Sequence, residues 1–326
     1  LKSLTVAICS YQRKDSLLAQ LRVINELASR EPEAWQDTEI VVVLDGSTDG
    51  SNEALAGFSS TLPLSVATQQ NGGLASARNH CLRLARGEII WMLDDDLLPQ
   101  PGAAMVHRRA HETSKKHILL GPCILPPELE VPAGVRAWWE ERYRELSGMS
   151  QIDISTFSVA NSSGETSFFR DAGGFDESFT LYGYEDNELG YRLVRRGGTL
   201  TFAKAAAAWH CTTIDDALTF RRQRDLGRNL VLLISLHPEI SHDFLPLASD
   251  SMVRRLLRQS RLRSPEALWT LASTAFAVLR VSTRLVGREP PLVRELAWEA
   301  AKLAGVSERD PKMLETALAP YQRSDP

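Results

Sequence analysis

A chain of 326 residues is long enough for one large domain and a smaller one, and its 43% hydrophobic and 24% charged residues are ordinary for a globular protein. A net charge of -4 provides no global basic field and excludes nucleic acid as an expected partner. Four cysteines, Cys9, Cys81, Cys123 and Cys211, form no CxxC pair and lie in or beside apolar or helical stretches, so they read as buried, reduced thiols of a cytoplasmic protein.

Leu4 to Cys9 reads as a buried strand that begins without a basic leader and apolar core before it. Asp15 to Ala28 carries Leu17, Leu18, Leu21, Ile24 and Leu27 at helical spacing. Ile40 to Leu44 is a second buried strand, stopped by Asp45-Gly46. Asn52 to Phe58 follows as a short helix, Leu64 to Thr68 as a strand and Ala75 to Ala85 as a helix. Ile89 to Leu93 is another buried strand and ends on Asp94-Asp95-Asp96. A helix can start at Pro101, and Ile118 to Gly121 is a further strand. Strands that are apolar on both faces and separated by helices imply a mostly parallel α/β sheet covered on both sides. Ligands of such sheets bind beyond the carboxyl ends of the strands, where Asp45 and Asp94 fall.

Residues 122–160 are broken by Pro122, Pro126, Pro127 and Pro132, with a helix predicted over Val135 to Leu146 that holds Trp138 and Trp139. A helix over 184–196 and a strand over Leu200 to Ala203 come next. From residue 215 the pattern is all helical, with candidates at 215–236, 250–262, 265–286, 291–304 and 310–318. The expected division is a nucleotide-binding catalytic domain over 1–214 and a helical extension over 215–326. The longest apolar run, Ala267 to Leu279, is shorter than the roughly 20 residues of a spanning helix. Arg254, Arg255, Arg258, Arg261 and Arg263 lie among Val253, Leu256, Leu257 and Leu262. Such a helix either rests on an anionic membrane surface or packs on the catalytic domain with a solvated basic face.

Six groups of residues bear on chemistry, each with a plainer alternative. Three carboxylates after a buried strand repel one another, and a divalent cation such as Mg²⁺ or Mn²⁺ relieves that repulsion; a solvated acidic loop with a capping aspartate does so without metal. Asp45 within Asp45-Gly46-Ser47 can accept a hydrogen bond from a base or ribose, or serve a tight turn. Asn71-Gly72-Gly73 leads into the helix that carries Arg78, and free N–H groups with Arg78 could meet a diphosphate, or the stretch is a plain loop-to-helix junction with a surface arginine. Glu185 and Asp186 open a helix, where the dipole favours acids, and one of them could act as a general base. His210 can complete a metal shell or satisfy the core. Trp138 and Trp139 offer faces for an acceptor sugar, or pack their helix.

Ser10-Tyr11-Gln12-Arg13, Asp45-Gly46-Ser47, Asn71-Gly72-Gly73 with Ala77-Arg78-Asn79, Leu93-Asp94-Asp95-Asp96, Gly173-Gly174-Phe175-Asp176-Glu177 and Glu185-Asp186 occur in the order seen in family-2 glycosyltransferases. Together they span roughly residues 4 to 212, and over that span the chain resembles that inverting family. The resemblance implies a GT-A fold, a nucleotide-sugar donor, a carbohydrate or other hydroxyl acceptor, and Mn²⁺ or Mg²⁺ as cofactor. It implies that Asp45 contacts the base, commonly uracil, and that Ser10, Arg13, Gly73, Arg78, Asp94 and Asp95 line the donor site. Asp96 is then the direct metal ligand with Asp94 and His210 as partners, Asp186 the catalytic base, and Glu185 a support of the acceptor or donor site. Family members often carry a second acid where this chain has Leu44. A nucleotidyltransferase is the competing enzyme, but the stretch after the first strand lacks glycine. An inactive nucleotide-sugar-binding scaffold is the competing non-enzyme.

Overall fold

The computed structural model describes residues 1–113, 115–131, 133–211, 216–244, 257, 263–286 and 291–313. The chain divides into two compact units, Leu1–Thr180 with Glu185–Thr213 and Leu181–Tyr184 with Ile214–Pro326. The first unit runs β1 (Leu4–Ser10), α1 (Lys14–Arg30), α2 (Pro32–Trp35), β2 (Thr38–Asp45), α3 (Ser51–Ala56), β3 (Leu64–Gln69), α4 (Leu74–Leu84), β4 (Ile89–Leu93), β5 (Leu97–Pro99), α5 (Ala103–Arg109), β6 (His117–Leu120), β7 (Cys123–Ile124), α6 (Ala133–Ser147), β8 (Asn161–Glu165), α7 (Thr166–Asp171), α8 (Glu185–Arg195), β9 (Thr199–Phe202) and β10 (Ala208–His210).

Seven strands form one sheet in the order β3-β2-β1-β4-β8-β6-β9. β3, β2, β1 and β4 are parallel, with Ser10 opposite Leu44 and Ala7 opposite Met92, so the carboxyl ends of these strands reach one edge. Alternate residues feed two cores. Val6, Ile8, Val42, Leu44, Trp91 and Leu93 pack with Leu17, Leu21 and Ile24 of α1 on one face. Ala7, Val41, Val43, Ile90 and Met92 pack with Ala77, Cys81 and Leu82 of α4 on the other. This is the layered α/β arrangement that uniformly apolar strands require.

The sheet departs from the sequence expectation at β8, which is antiparallel to both β4 and β6. Its residues, Asn161 to Glu165, are all buried although none is a large hydrophobe. Their polar groups are satisfied from the sides. Asn161 Oδ1 accepts from Trp91 Nε1 at 2.9 Å, and its amide nitrogen donates to Ala206 O at 2.9 Å. Ser163 Oγ lies 2.8 Å from both His107 Nδ1 and His111 Nε2. Burial holds both imidazoles in the neutral form, lowering each to about 3. Gly164 has no room for a side chain, because a Cβ would come within 2.6 Å of Ile118 and Phe169.

β5, β10 and β7 form a second small sheet. β10 is antiparallel to β5 with His210 opposite Leu97, and Cys211 N donates to Asp96 O at 2.9 Å. Because β5 directly follows the three aspartates, this pairing carries His210 to them. All four cysteines are free, but Cys211 is exposed rather than buried, because it lies just past the end of β10.

The second unit contains α9 (Asp216–Leu236), α10 (Ser241–Phe244), α11 (Pro265–Val286) and α12 (Pro291–Arg309). α9 and α12 cross at Gly227 and Gly305, where an added Cβ would come within 2.0 Å of the carbonyl oxygens of Lys302 and Arg224. Phe220 stacks on Phe276 at 4.4 Å, flanked by Trp269 and Trp298. Arg254, Arg255, Arg258 and Arg261 and most of the helix expected over 250–262 lie outside the described residues, as do residues 314–318. Among the described residues no helix is long and apolar enough to cross a membrane.

Candidate active site

The backbone of the three-aspartate loop is pinned from several directions. Asp94 N donates to Ala160 O at 2.9 Å. Gln20 Nε2 donates to the carbonyls of Asp94 and Leu97, both at 2.6 Å, and Ser16 Oγ donates to Asp95 O at 2.8 Å. So fixed, the three carboxylates point to different partners. Asp94 Oδ1 accepts from Arg78 at 3.1 Å. Asp95 turns inward, where Ser10 Oγ meets Oδ2 at 2.6 Å and Arg13 lies 3.2 Å from Oδ1. Asp96 Oδ2 meets Arg13 and faces His210 Nε2 at 3.4 Å. Burial pushes Asp95 up to about 7 against the pull of Arg13 and Ser10. For Asp96 burial acts the same way, but His210 and Arg13 outweigh it and leave the carboxyl lowered, at about 2.

Arg78 joins this loop to the start of α8. Its side chain is only 4% exposed, and its guanidinium reaches Asp94 at 3.1 Å, Glu185 at 3.1 Å and Asp186 at 2.7 Å. Burial works against the charge, and the three carboxylates hold the proton on, raising Arg78 above its ordinary value. The other oxygen of Asp186, Oδ2, accepts from Val159 N at 3.1 Å and Ser158 Oγ at 3.2 Å. Both oxygens of Asp186 are therefore oriented. Ser158 and Val159 were not among the residues expected at the site, because they lie in an irregular segment with no periodic or motif signal.

Burial and then the Asp186 charge push Glu185 up to about 7, against Arg78. The folded chain thus holds a proton on Glu185 that the unfolded chain releases near pH 4.5. Stability from this group is full below about 4.5 and is lost as pH rises through about 7. A Glu185→Gln variant is expected to lose less melting temperature than the parent between pH 5 and pH 8. Thermal unfolding followed by circular dichroism checks this, and parallel pH curves would contradict it.

Asp45 closes the next loop. Its Oδ1 accepts from Gly72 N at 2.8 Å and Gln69 Nε2 at 2.8 Å, and its Oδ2 accepts from Gly73 N at 3.0 Å. The two glycine N–H groups considered for a diphosphate thus point at Asp45. Gly46, at φ 78°, sits under Asn71, where a Cβ would lie 2.8 Å from the Asn71 nitrogen. Asn79 likewise serves the Gly173-Gly174 loop. Its Oδ1 accepts from Phe175 N at 2.7 Å, and its amide nitrogen donates to Phe175 O at 2.9 Å and Glu177 at 2.8 Å. Gly174, at φ 67°, leaves room for this, since a Cβ would stand 2.4 Å from Asn79 Oδ1.

Of the three expected metal ligands, Asp96 and His210 come together, while Asp94 Oδ1 is directed to Arg78. His210 Nδ1 is buried without a hydrogen-bond partner among the described residues. Asp96 Oδ2 and His210 Nε2, which face each other while Arg13 also contacts that oxygen, are donor types that a divalent cation such as Mn²⁺ takes. Among the described residues no group of three or more His, Cys, Asp or Glu converges. An ion held there would need diphosphate and water oxygens to complete its shell. Trp139 stacks on His210 at 5.2 Å and donates its Nε1 to Cys123 O, so it packs the wall behind the histidine. Trp138 lies in α6 with its side chain outside the described residues.

Residues 5–163 match the profile of Glycosyl transferase family 2, and residues 151–216 match one described as the N-terminal domain of galactosyltransferase. The chain is 32% identical over 292 residues to a validoxylamine A glucosyltransferase of Streptomyces hygroscopicus subsp. limoneus, covering 81% of this chain and 63% of that protein. It is also 32% identical over 292 residues to the protein of the same name from subsp. jinggangensis, covering 81% of this chain and 68% of that one. The chain therefore spans about two thirds of the length of these relatives. Among solved structures, a mannosyltransferase from Pyrobaculum calidifontis in complex with GDP-Man and Mn²⁺ superposes with a TM-score of 0.63 at 19% identity, covering 94% of this chain and 87% of that one. S. aureus TarS 1-349 in complex with UDP-GlcNAc gives 0.52 at 15% identity, covering 94% and 91%. At these identities the likeness is one of fold.

Proposed function

The chain belongs to glycosyl transferase family 2, and from that premise we propose that it transfers a sugar from a nucleoside-diphosphate donor, with UDP-sugars first in line, to an acceptor hydroxyl with inversion. The observation that carries this reading is Arg78. One buried guanidinium ties Asp94, at the end of β4, to Asp186, at the start of α8. The carboxyl edge of the sheet and a fixed carboxylate thereby share one guanidinium, which supports a single site for donor and base.

In this reading Asp186 accepts the proton of the acceptor hydroxyl as that oxygen bonds to the anomeric carbon. The bond from that carbon to the diphosphate breaks on the opposite face, and its electron pair leaves with the nucleoside diphosphate. Asp45, with Gly73 bonded to it, forms the floor on which the nucleoside rests, and Ser10, Arg13 and Asp94 border the diphosphate and ribose. Asp96 and His210 would hold Mn²⁺ or Mg²⁺, which when bound neutralises the charge growing on the leaving diphosphate. Glu185, raised to about 7 by burial and by Asp186, spares Arg78 part of a third negative charge.

The 32% identity to two glucosyltransferases supports glucose as the transferred sugar. Residues 1–214 then form the catalytic domain and 215–326 its helical extension. The free thiols suit a reducing cytoplasm. A panel of UDP-glucose, UDP-galactose, UDP-GlcNAc and GDP-mannose, with Mn²⁺ and polyhydroxylated acceptors, tests the activity. Release of nucleoside diphosphate is expected, strongest with UDP-glucose. Release of nucleoside monophosphate, or of no nucleotide with any donor, would contradict it.

A further inference from the structure

Arg13 and His210 both address Oδ2 of Asp96. The Arg13 guanidinium contacts this oxygen, and His210 Nε2 stands 3.4 Å from it. The same guanidinium lies 3.2 Å from Asp95 Oδ1. The Asp96 oxygen nearest His210 is therefore already covered by a cation belonging to the protein. The Asp96 side chain is 10% exposed, so water screens this pair poorly. A divalent cation arriving at that oxygen meets the repulsion of the guanidinium already there.

The two arginines of the site differ in their freedom to move. Arg78 is 4% exposed and shared among three carboxylates, so moving it would strand buried charge. Arg13 is 34% exposed and occupies the position before the first residue of α1 without a side-chain cap to that helix. It can leave Asp96 for solvent or for a phosphate oxygen without unwinding α1. A guanidinium pairs as well with phosphate as with carboxylate.

We propose that Arg13 is a built-in counter-cation that guards the metal position. It neutralises Asp95 and Asp96 in the unliganded chain, yields Asp96 Oδ2 to the divalent cation, and passes to the diphosphate that arrives with it. Cation binding is thereby coupled to nucleotide binding, each favouring the other through the release of one side chain. The proposal rests on the reading of Asp96 and His210 as cation ligands.

Mn²⁺ binding to the full chain, measured from the electron paramagnetic resonance signal of free Mn²⁺, tests it without any turnover. The parent is expected to bind Mn²⁺ weakly alone and more tightly with UDP or GDP. Arg13→Gln and Arg13→Ala should bind Mn²⁺ alone on the order of tenfold more tightly than the parent. The gain from nucleotide should shrink in both, while Arg13→Lys, which keeps a cation, stays near the parent. If both neutral variants bind Mn²⁺ no better than the parent, while Asp96→Asn abolishes binding, the guarding role is overturned and the cation site stands. If the parent binds no Mn²⁺ even with either nucleotide, the cation reading and this proposal fall together.

Discussion

An Asp186→Asn variant should lose turnover by on the order of 10²- to 10⁴-fold, the range for removal of a positioned general base. Donor affinity, measured by calorimetry with the nucleoside diphosphate, should stay within about threefold of the parent. The substitution is isosteric but not silent. Asp186 accepts on both oxygens, from Arg78 on one side and from Val159 N and Ser158 on the other. An asparagine must turn its amide nitrogen toward one of these donors, which leaves a buried donor facing a donor at roughly 1–3 kcal/mol. Melting temperature therefore has to be recorded beside the kinetics. Turnover close to the parent in a folded variant would remove Asp186 from the role of base.

The largest effect on stability is expected at Arg78. Replacing it with methionine fills similar space but leaves Asp94, Glu185 and Asp186 without their shared cation. Breaking a buried ion pair on one side costs about 3–5 kcal/mol, which in a unit of this size lowers the melting temperature by on the order of 10 °C. The deficit should be larger at pH 8 than at pH 5, because protons can replace the missing cation on the carboxylates. Arg78→Lys should fall between, since one ammonium cannot reproduce a fork that gives one nitrogen to Glu185 and Asp186 and the other to Asp94. A methionine variant that melts within about 2 °C of the parent at both pH values would show that these carboxylates do not depend on Arg78.

The parallel half of the sheet was readable because β1, β2 and β4 are apolar on both faces and each stops at a polar turn. Period and punctuation were enough to place Asp45 and Asp94 at strand ends. β8 was not readable, because its burial depends on partners far away in sequence. Asn161 is satisfied by Trp91 and Ala206, and Ser163 by two histidines of the α5 region. Hydropathy sees only five small or polar residues. Motif reading likewise named Arg78 and Asp45 but could not say what they face. Arg78, a diphosphate candidate by its motif, is held by three carboxylates, and the glycine N–H groups of the same motif are taken by Asp45. The convergence of His210 on Asp96 needed the β5–β10 pairing, which joins segments more than a hundred residues apart.

Single displacement assisted by Asp186 is tested most directly by the configuration of the first product. Proton nuclear magnetic resonance of the reaction with UDP-α-glucose and an accepted hydroxyl compound, recorded from early time points, reports the anomeric coupling of the new glycoside. A β-linked product that is lost together with turnover in Asp186→Asn is the expected result. An α-linked product would contradict the displacement mechanism.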